Sequence, residues 1–248
     1  MLRVRRAPWG LMIRSSPPKA RFTVLLVLLT AALLMVPWLA LGRAGRFAGE
    51  LVVVFAMASA VWKLQARRGL LVLVVVTAVL GTLASAAETW FHAAGWIVVD
   101  RAAGIVFVVL VAICITQNVW RETEVSADTI VGGIAVYVLL AVAWSSAYQL
   151  LEFLVPGSLE VVSGSGGHWG PWEAAPGEYP RLLFFSFVTI TTLGYGDIVP
   201  ASGPAAALAS LDAVVGPLYL TVLIARLVGL HIASARGVDS LRREPEDS

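Results

Sequence analysis

The sequence predicts an all-α membrane protein with six transmembrane helices and a shorter re-entrant segment between the fifth and the sixth. Only 14% of the 248 residues are charged and 58% are hydrophobic, with a mean hydropathy of +0.83. A soluble domain usually has about 25% charged residues. The chain also contains six apolar stretches near the length that a bilayer core requires, roughly 20 residues each. A glycine-rich loop separates the last two of them.

The six predicted spans are joined by short polar segments. They are Phe22–Leu41, Phe47–Lys63, Gly69–Ala87, Ala102–Trp120, Thr129–Leu151 and Pro204–Ile232. Tryptophans lie at the ends of the first four spans, as in the aromatic belt of a bilayer interface. The basic N-terminus, 1–21, is similar to the charged region of a signal peptide. The apolar run that follows is about 20 residues long, so we interpret it as a retained first helix.

The positions of lysine and arginine predict the orientation. If the N-terminus is cytoplasmic, 14 of the 18 basic residues lie in inner segments and 4 in outer segments. Basic residues concentrate on the cytoplasmic side of membrane proteins. We therefore expect a multi-pass protein of the cell membrane with both termini in the cytoplasm. The charged tail, 233–248, is too short for a soluble ligand-binding domain.

Composition also argues against several functions. A net charge of +2 does not favour nucleic-acid binding. Cys114 is the single cysteine, and the sequence has no CxxC motif, metal-ligand cluster or Ser–His–Asp pattern. We therefore expect no enzyme activity and no cofactor.

The stretch "FVTITTLGYGDIVP", residues 187–200, carries the chemistry. The apolar run before it, which begins near Pro180, is too short to cross a bilayer, and a re-entrant half-helix is the simplest interpretation. Non-helical backbone at membrane depth is tolerated only where protein or a water-filled path satisfies its polar groups. Glycines at alternate positions allow successive carbonyls to face one direction. Such a row of carbonyls can replace the hydration shell of a cation.

Residues 191–197, "TTLGYGD", resemble the signature of potassium channels. The order of outer helix, short helix, loop and inner helix is also similar to that family. The resemblance implies a four-helix domain at 22–120 and a pore domain at 129–232. It also implies that potassium is the permeant ion. Each chain supplies one loop, so the resemblance implies a homotetramer in the lipid bilayer.

The resemblance assigns roles to individual residues of the loop. Backbone carbonyls would coordinate potassium at Thr192, Leu193, Gly194 and Tyr195. The Thr192 hydroxyl would add a ligand at the inner end, and Gly196 would close the outer mouth. The Tyr195 ring would pack behind the ion path. Residues that would support the filter are Thr191, Asp197, Val188 and Asp212.

The sequence departs from the family pattern in three respects. Leu193 stands where the commonest filter has valine, which changes the packing but leaves the carbonyl. Val188 occupies a position where many relatives have a glutamate that pairs with the aspartate after the filter. The short helix carries Phe184 and Phe185 in place of tryptophan, so no indole N–H can hold Asp197. We therefore expect the usual clamp on Asp197 to be absent and inactivation to be the property most affected.

Asp212 is an acid within a predicted span, which makes it a candidate functional residue. It lies eight residues after Pro204, about 12 Å along the helix. One hypothesis places it behind the filter, where it accepts hydrogen bonds from Ser186, Thr189 or Thr191. The other places it in the aqueous cavity, where it attracts cations.

Three further features each have two interpretations. The pair Gly216–Pro217 in the last span is a gating hinge or a static kink. Arg226 reaches the inner interface by snorkelling, or it senses a lipid or ligand. The acidic residues of the loop after the fifth span form a negative mouth or a solvated surface; they are Glu152, Glu160, Glu173 and Glu178.

The predicted function is a potassium-selective channel without steep voltage gating. Residues 102–120 contain no arginine, whereas a voltage sensor needs several arginines at helical spacing. A less selective cation channel is one alternative, and a six-span transporter is another. A transporter would spread polar groups over several spans, but the first, third and fourth are almost purely apolar. The gating stimulus stays open among membrane tension, lipid, pH and constitutive leak.

Overall fold

A computed structural model of the protein describes residues 21–39, 68–91, 94–122, 125–162 and 179–242. These residues are mostly helical. The helices are α1 (Arg21–Leu39), α2 (Arg68–Phe91), α3 (Ala94–Arg121), α4 (Ala127–Leu154), α5 (Tyr179–Ile190) and α6 (Gly203–Arg242). Two short strands complete the described part, β1 (Leu159–Val161) and β2 (Ile198–Pro200).

Four of the predicted spans are confirmed as helices that are long and apolar enough to cross a membrane. In the described part of the chain they are Arg68–Ala87, Gly95–Arg121, Ala127–Leu154 and Gly203–Ala233. The first predicted span forms α1, whose apolar part Phe22–Leu34 is shorter. The second, Phe47–Lys63, lies outside the described residues. The protein is thus a membrane protein, and its described residues contain four candidate spans.

Side-chain caps fix where two of the long helices begin. The Ser126 hydroxyl accepts a hydrogen bond from the Thr129 N–H at 3.1 Å, at the start of α4. The Ser202 hydroxyl accepts from the Ala205 N–H at 3.2 Å, at the start of α6. Both are the N-cap arrangement that satisfies an otherwise unpaired helix donor.

Helix α4 is the centre of the packing, because it contacts α1, α3, α5 and α6. Two adjacent glycines let its neighbours approach closely. A Cβ at Gly132 would lie 2.8 Å from a Val119 methyl of α3, and one at Gly133 would lie 2.6 Å from a Leu223 methyl of α6. Small residues at such contacts are typical of membrane helices, where close packing drives association.

Arg226 of α6 ties this helix to the C-terminal end of α3. Its Nη2 donates to the carbonyls of Val119 at 3.3 Å, Trp120 at 2.6 Å and Glu122 at 3.2 Å. The guanidinium also lies 5.2 Å from the centroid of the Trp120 ring. Carbonyls at a helix C-terminus lack intrahelical donors, and a cation there interacts favourably with the helix dipole. Arg226 therefore caps α3.

The strands β1 and β2 form an antiparallel pair that the sequence analysis did not predict. Leu159 pairs with Pro200, and Val161 pairs with Ile198. The expectation of an all-α fold is therefore incomplete. Strands of three residues are too short for alternation of apolar and polar residues to identify them.

Candidate functional site

The short helix α5 is anchored between α4 and α6 by its buried face. The Ser186 hydroxyl donates to the Ala141 carbonyl of α4 at 2.7 Å, and Ser186 is fully buried. Phe185 packs edge-on against Tyr148 of α4, with ring centroids 4.9 Å apart. Polar contacts between helices are specific in an apolar environment because few competing partners exist there. The orientation of α5 is fixed by these contacts.

Gly216 of α6 lies in close contact with the C-terminal end of α5. A Cβ at Gly216 would overlap the Ile190 carbonyl oxygen and lie 2.8 Å from the Ile190 Cγ1. The Ile190 carbonyl also accepts a hydrogen bond from the Tyr137 hydroxyl of α4 at 3.0 Å. The absence of a side chain at Gly216 therefore sets how closely α5 approaches α6. The sequence analysis considered Gly216 only as a hinge or kink.

A pair of tyrosines beside this contact joins α4 to α6. The rings of Tyr137 and Tyr219 stack with centroids 6.2 Å apart and planes 23° apart. The Tyr219 hydroxyl donates to the Gly133 carbonyl at 2.8 Å. Both tyrosines were missed by the sequence analysis, because an aromatic residue in an apolar span gives no signal of its hydrogen-bond partner.

Helix α5 ends in a Schellman motif whose left-handed residue is Thr192. The Thr192 N–H donates to the Thr189 carbonyl at 2.9 Å, and the Leu193 N–H donates to the Val188 carbonyl at 2.9 Å. Thr192 has a φ of 58°. Glycine is the usual residue in this position, and a β-branched residue there is an outlier. Such strain costs on the order of 1–3 kcal/mol and persists where the surroundings impose it.

Positive φ values recur at every second residue of the loop. They are 58° at Thr192, 60° at Gly194 and 77° at Gly196. Glycine adopts this region readily, which explains the two glycines. Alternation of left-handed and ordinary residues turns successive peptide planes so that their carbonyls face a common side.

The hydrogen bonds of the loop show which side that is. The N–H groups of Leu193 and Gly194 both donate to the Val188 carbonyl, at 2.9 and 3.3 Å. In a trans peptide the carbonyl points opposite to the following N–H. The carbonyls of Thr192 and Leu193 therefore point away from α5. Among the described residues no group donates to the carbonyls of Thr192, Leu193, Gly194 or Tyr195.

Side chains of the loop pack back toward α5. The Tyr195 ring stacks on Phe184, with centroids 6.1 Å apart and planes 4° apart. The Thr191 hydroxyl donates to the Phe187 carbonyl at 2.6 Å. Tyr195 is nevertheless 65% exposed and Leu193 56% exposed in the single chain. The loop thus presents a row of carbonyls and two large side chains outside the chain's own core.

Asp197 is not held by α5. Its Oδ1 accepts from the N–H of the next residue, Ile198, at 3.0 Å. Its backbone carbonyl accepts from the Val162 N–H at 2.9 Å, which extends the pairing of β1 with β2. Val188, at the position where relatives carry a glutamate, is buried. The segment after the loop is attached to β1 instead.

Asp212 is fully buried on α6. Its Oδ2 accepts from the Tyr148 hydroxyl of α4 at 3.0 Å. Its Oδ1 is buried and has no hydrogen-bond partner. Ser186, one of the hydroxyls that the sequence analysis named, also lies beside the Asp212 carboxylate, although its hydroxyl donates to the Ala141 carbonyl. Tyr148, the donor to Oδ2, is a residue of the outer helix that the sequence analysis did not consider.

Helix α6 continues through the Gly216–Pro217 pair without a break in helical structure. The Thr221 hydroxyl donates to the Pro217 carbonyl at 2.7 Å. Proline in a helix removes one backbone hydrogen bond. Whether the pair moves as a hinge stays a prediction.

Comparison with known proteins agrees with this site. Residues 136–231, which are 96 of the 248 residues, match a family model described as ion channel. The match covers most of α4, both strands, α5, the loop and most of α6. No curated protein and no solved structure matches the chain. The protein therefore contains an ion-channel domain, which points to a channel and not to an enzyme.

Proposed function

We propose that the protein is a potassium-selective channel in which four copies of the chain surround one ion path. The observation that carries the proposal is the loop at 191–196. Its carbonyls lack donors among the described residues, and its φ values alternate in sign with the glycines. A cation without its water shell needs several oxygens around it, and one loop offers a single row. Four loops around a closed rotation axis complete the cage.

The strained Thr192 supports the same proposal. A glycine would occupy the left-handed position without strain, and the chain places a β-branched hydroxyl residue there instead. Strain at one residue leads to a hypothesis of function. In the proposed pore the Thr192 hydroxyl and carbonyl form the innermost ion site. The sites above it use the carbonyls of Leu193, Gly194 and Tyr195, and Gly196 forms the outer mouth.

The packing around the loop supports the remaining proposed roles. Val188, Thr191 and Asp212 support the loop from behind, and Asp197 lies at its outer end. Gly216 and Pro217 are the candidate hinge of the inner helix α6. In the described helix α3 the arginines are Arg101, which pairs with Asp100 at 3.7 Å, and the terminal Arg121. This pattern favours a channel without steep voltage gating. The distribution of lysine and arginine along the sequence supports a position in the cell membrane with both termini cytoplasmic.

The experiment is a reversal-potential measurement on the purified protein in liposomes or planar bilayers. A potassium gradient is opposed by a sodium gradient. We expect the current to reverse near the potassium equilibrium potential. Reversal near zero would contradict selectivity and favour the less selective cation channel.

A matched pair of variants assigns the current to this loop. Gly194→Asp places a side chain at a φ of 60° and should abolish the current. Gly69→Asp adds the same charge near the start of α2, where a Cβ meets nothing within 4 Å and an acid suits the helix dipole. This control should conduct normally. Persistence of the current in Gly194→Asp would place the ion path elsewhere.

A further inference from the structure

The carboxylate of Glu152, near the C-terminal end of α4, accepts two backbone hydrogen bonds. Its Oε1 accepts from the Gly157 N–H at 2.6 Å, and its Oε2 accepts from the Leu159 N–H at 3.0 Å. Gly157 has a φ of 78°, which glycine adopts readily. Hydrogen bonds from backbone donors to a carboxylate are about twice as strong as neutral ones. Glu152 therefore fixes the chain between α4 and β1.

The strand that Glu152 holds is in turn bonded to the segment that follows the loop. The Val162 N–H donates to the Asp197 carbonyl at 2.9 Å, and the Ala201 N–H donates to the Ser158 carbonyl at 2.8 Å. Between these two bonds lies the β1–β2 ladder. The backbone at Asp197 is thus connected through the ladder to the carboxylate of Glu152 at the end of α4.

We propose that Glu152 is a positioning residue for the outer end of the carbonyl row, and that it acts through the β1–β2 strand pair. This inference rests on the proposed function. Among the described residues the Asp197 side chain bonds only to the Ile198 N–H, so in this part of the chain the backbone pairing is the restraint on this end of the loop. A binding site for an ion must hold its ligands to within about 0.5 Å. Loss of the Glu152 contact would loosen the outer sites and weaken discrimination between potassium and sodium.

The β1–β2 strand pair is also held by apolar contacts, which makes a Glu152 variant informative. Leu159 and Val161 pack against the apolar cluster that contains Tyr148, Phe185 and Ile198. The cluster remains when the carboxylate is removed, so Glu152→Ala should fold. The variant loses only the two hydrogen bonds from Gly157 and Leu159 to the carboxylate.

Glu160 provides the matched control. It is exposed in the middle of β1, and its backbone pairs with Val199. Glu160→Ala removes the same charge from the same face of the protein without removing the bonds to Gly157 and Leu159. A general effect of negative charge on cation concentration would appear in both variants, whereas a positioning effect would appear only in Glu152→Ala.

The test combines two measurements on the full-length protein. Hydrogen–deuterium exchange in lipid nanodiscs follows the amides of Val162 and Ala201. We expect exchange at least about tenfold faster in Glu152→Ala than in the native protein, which corresponds to ~1.4 kcal/mol. Exchange in Glu160→Ala should be unchanged. Glu152→Gln, which keeps one acceptor oxygen, should fall between. Unchanged exchange in Glu152→Ala would overturn the inference, whichever ions the native protein conducts.

Reversal potentials then test the link to the loop. In opposed potassium and sodium gradients, the reversal potential of Glu152→Ala should shift toward zero, while Glu160→Ala should match the native protein. The reversal potential does not depend on the number of channels, so lower expression cannot mimic the shift. A native protein that selects potassium and a Glu152→Ala variant with the same reversal potential would overturn the inference. If the current of the native protein reversed near zero, the proposed selectivity would be overturned instead. Hydrogen exchange would still decide whether Glu152 holds the β1–β2 strand pair in place.

Discussion

The channel region, which comprises α4 to α6 with the two strands, and the N-terminal helices α1 to α3 use their polar side chains differently. In α2 and α3, Thr77 donates to the Leu73 carbonyl at 2.8 Å and Asn118 donates to the Cys114 carbonyl at 2.8 Å, both within their own helix. In the channel region some hydroxyls, such as that of Thr221, also bond within their own helix. Others bond across elements, from Tyr137 to α5, from Ser186 to α4 and from Tyr148 to α6.

The difference follows from what each part has to hold in place. Apolar contacts in a lipid environment fix helices only by shape, because lipid chains are as apolar as the side chains. A hydrogen bond between two named atoms fixes distance and register. The channel region presents a row of carbonyls whose geometry must be kept, whereas α2 presents valines and leucines to its surroundings. Substitutions of comparable size should therefore have larger effects in the channel region.

The largest effect is expected for Gly216→Ala. The new Cβ would overlap the Ile190 carbonyl, which is backbone and cannot rotate away. Overpacking of this kind costs on the order of 3 kcal/mol. We expect a lower temperature of thermal unfolding and loss of most of the ion current, because the end of α5 that carries the loop is displaced.

Gly229→Ala is the control, because it lies on the same helix and its Cβ meets nothing within 4 Å. It should leave both measurements unchanged. If Gly216→Ala instead changed the open probability with no loss of thermal stability, Gly216 would act as a hinge and not as a packing contact for α5.

A smaller effect is expected for Tyr148→Phe. The substitution removes the donor to Asp212 Oδ2, and Asp212 Oδ1 already lacks a partner. A buried acceptor left unpaired costs about 1–3 kcal/mol. The measurement is thermal unfolding in a double-mutant cycle with Asp212→Leu. We expect Tyr148→Phe to destabilise the native background more than the Asp212→Leu background. Equal effects in both backgrounds would refute the pairing.

The smallest effect is expected where the two regions meet. Arg226→Lys keeps the charge at the end of α3 but loses the guanidinium Nη2 that donates to the carbonyls of Val119, Trp120 and Glu122. The hydrogen bonds that a lysine cannot replace are worth about 1 kcal/mol. Thermal unfolding should show a loss of that size.

Arg121→Ala serves as the comparison for Arg226, since Arg121 is an exposed arginine at the same end of α3. We expect this variant to change the free energy of unfolding by less than about 0.5 kcal/mol. A larger loss in Arg121→Ala than in Arg226→Lys would mean that charge near the interface, and not the cap, holds α3 to α6.

The sequence alone determined the parts of this protein that depend on local composition. A helix in lipid needs a run of apolar residues, so four spans can be read directly from the sequence. The loop at 191–197 was recognisable because left-handed backbone favours glycine at fixed spacing. The positive φ values of Gly194 and Gly196 agree with that spacing, whereas the positive φ of Thr192 was not predicted by the sequence.

The tertiary structure alone decided which distant residues hold the loop in place. Tyr148 and Asp212 are 64 residues apart, and Tyr137 and Ile190 are 53 apart. The pairing of β1 with β2 joins segments on either side of α5. None of these partners leaves a periodic pattern in the sequence. A hydrogen bond depends on where two helices place their side chains in space, and that position is fixed only when the helices pack together.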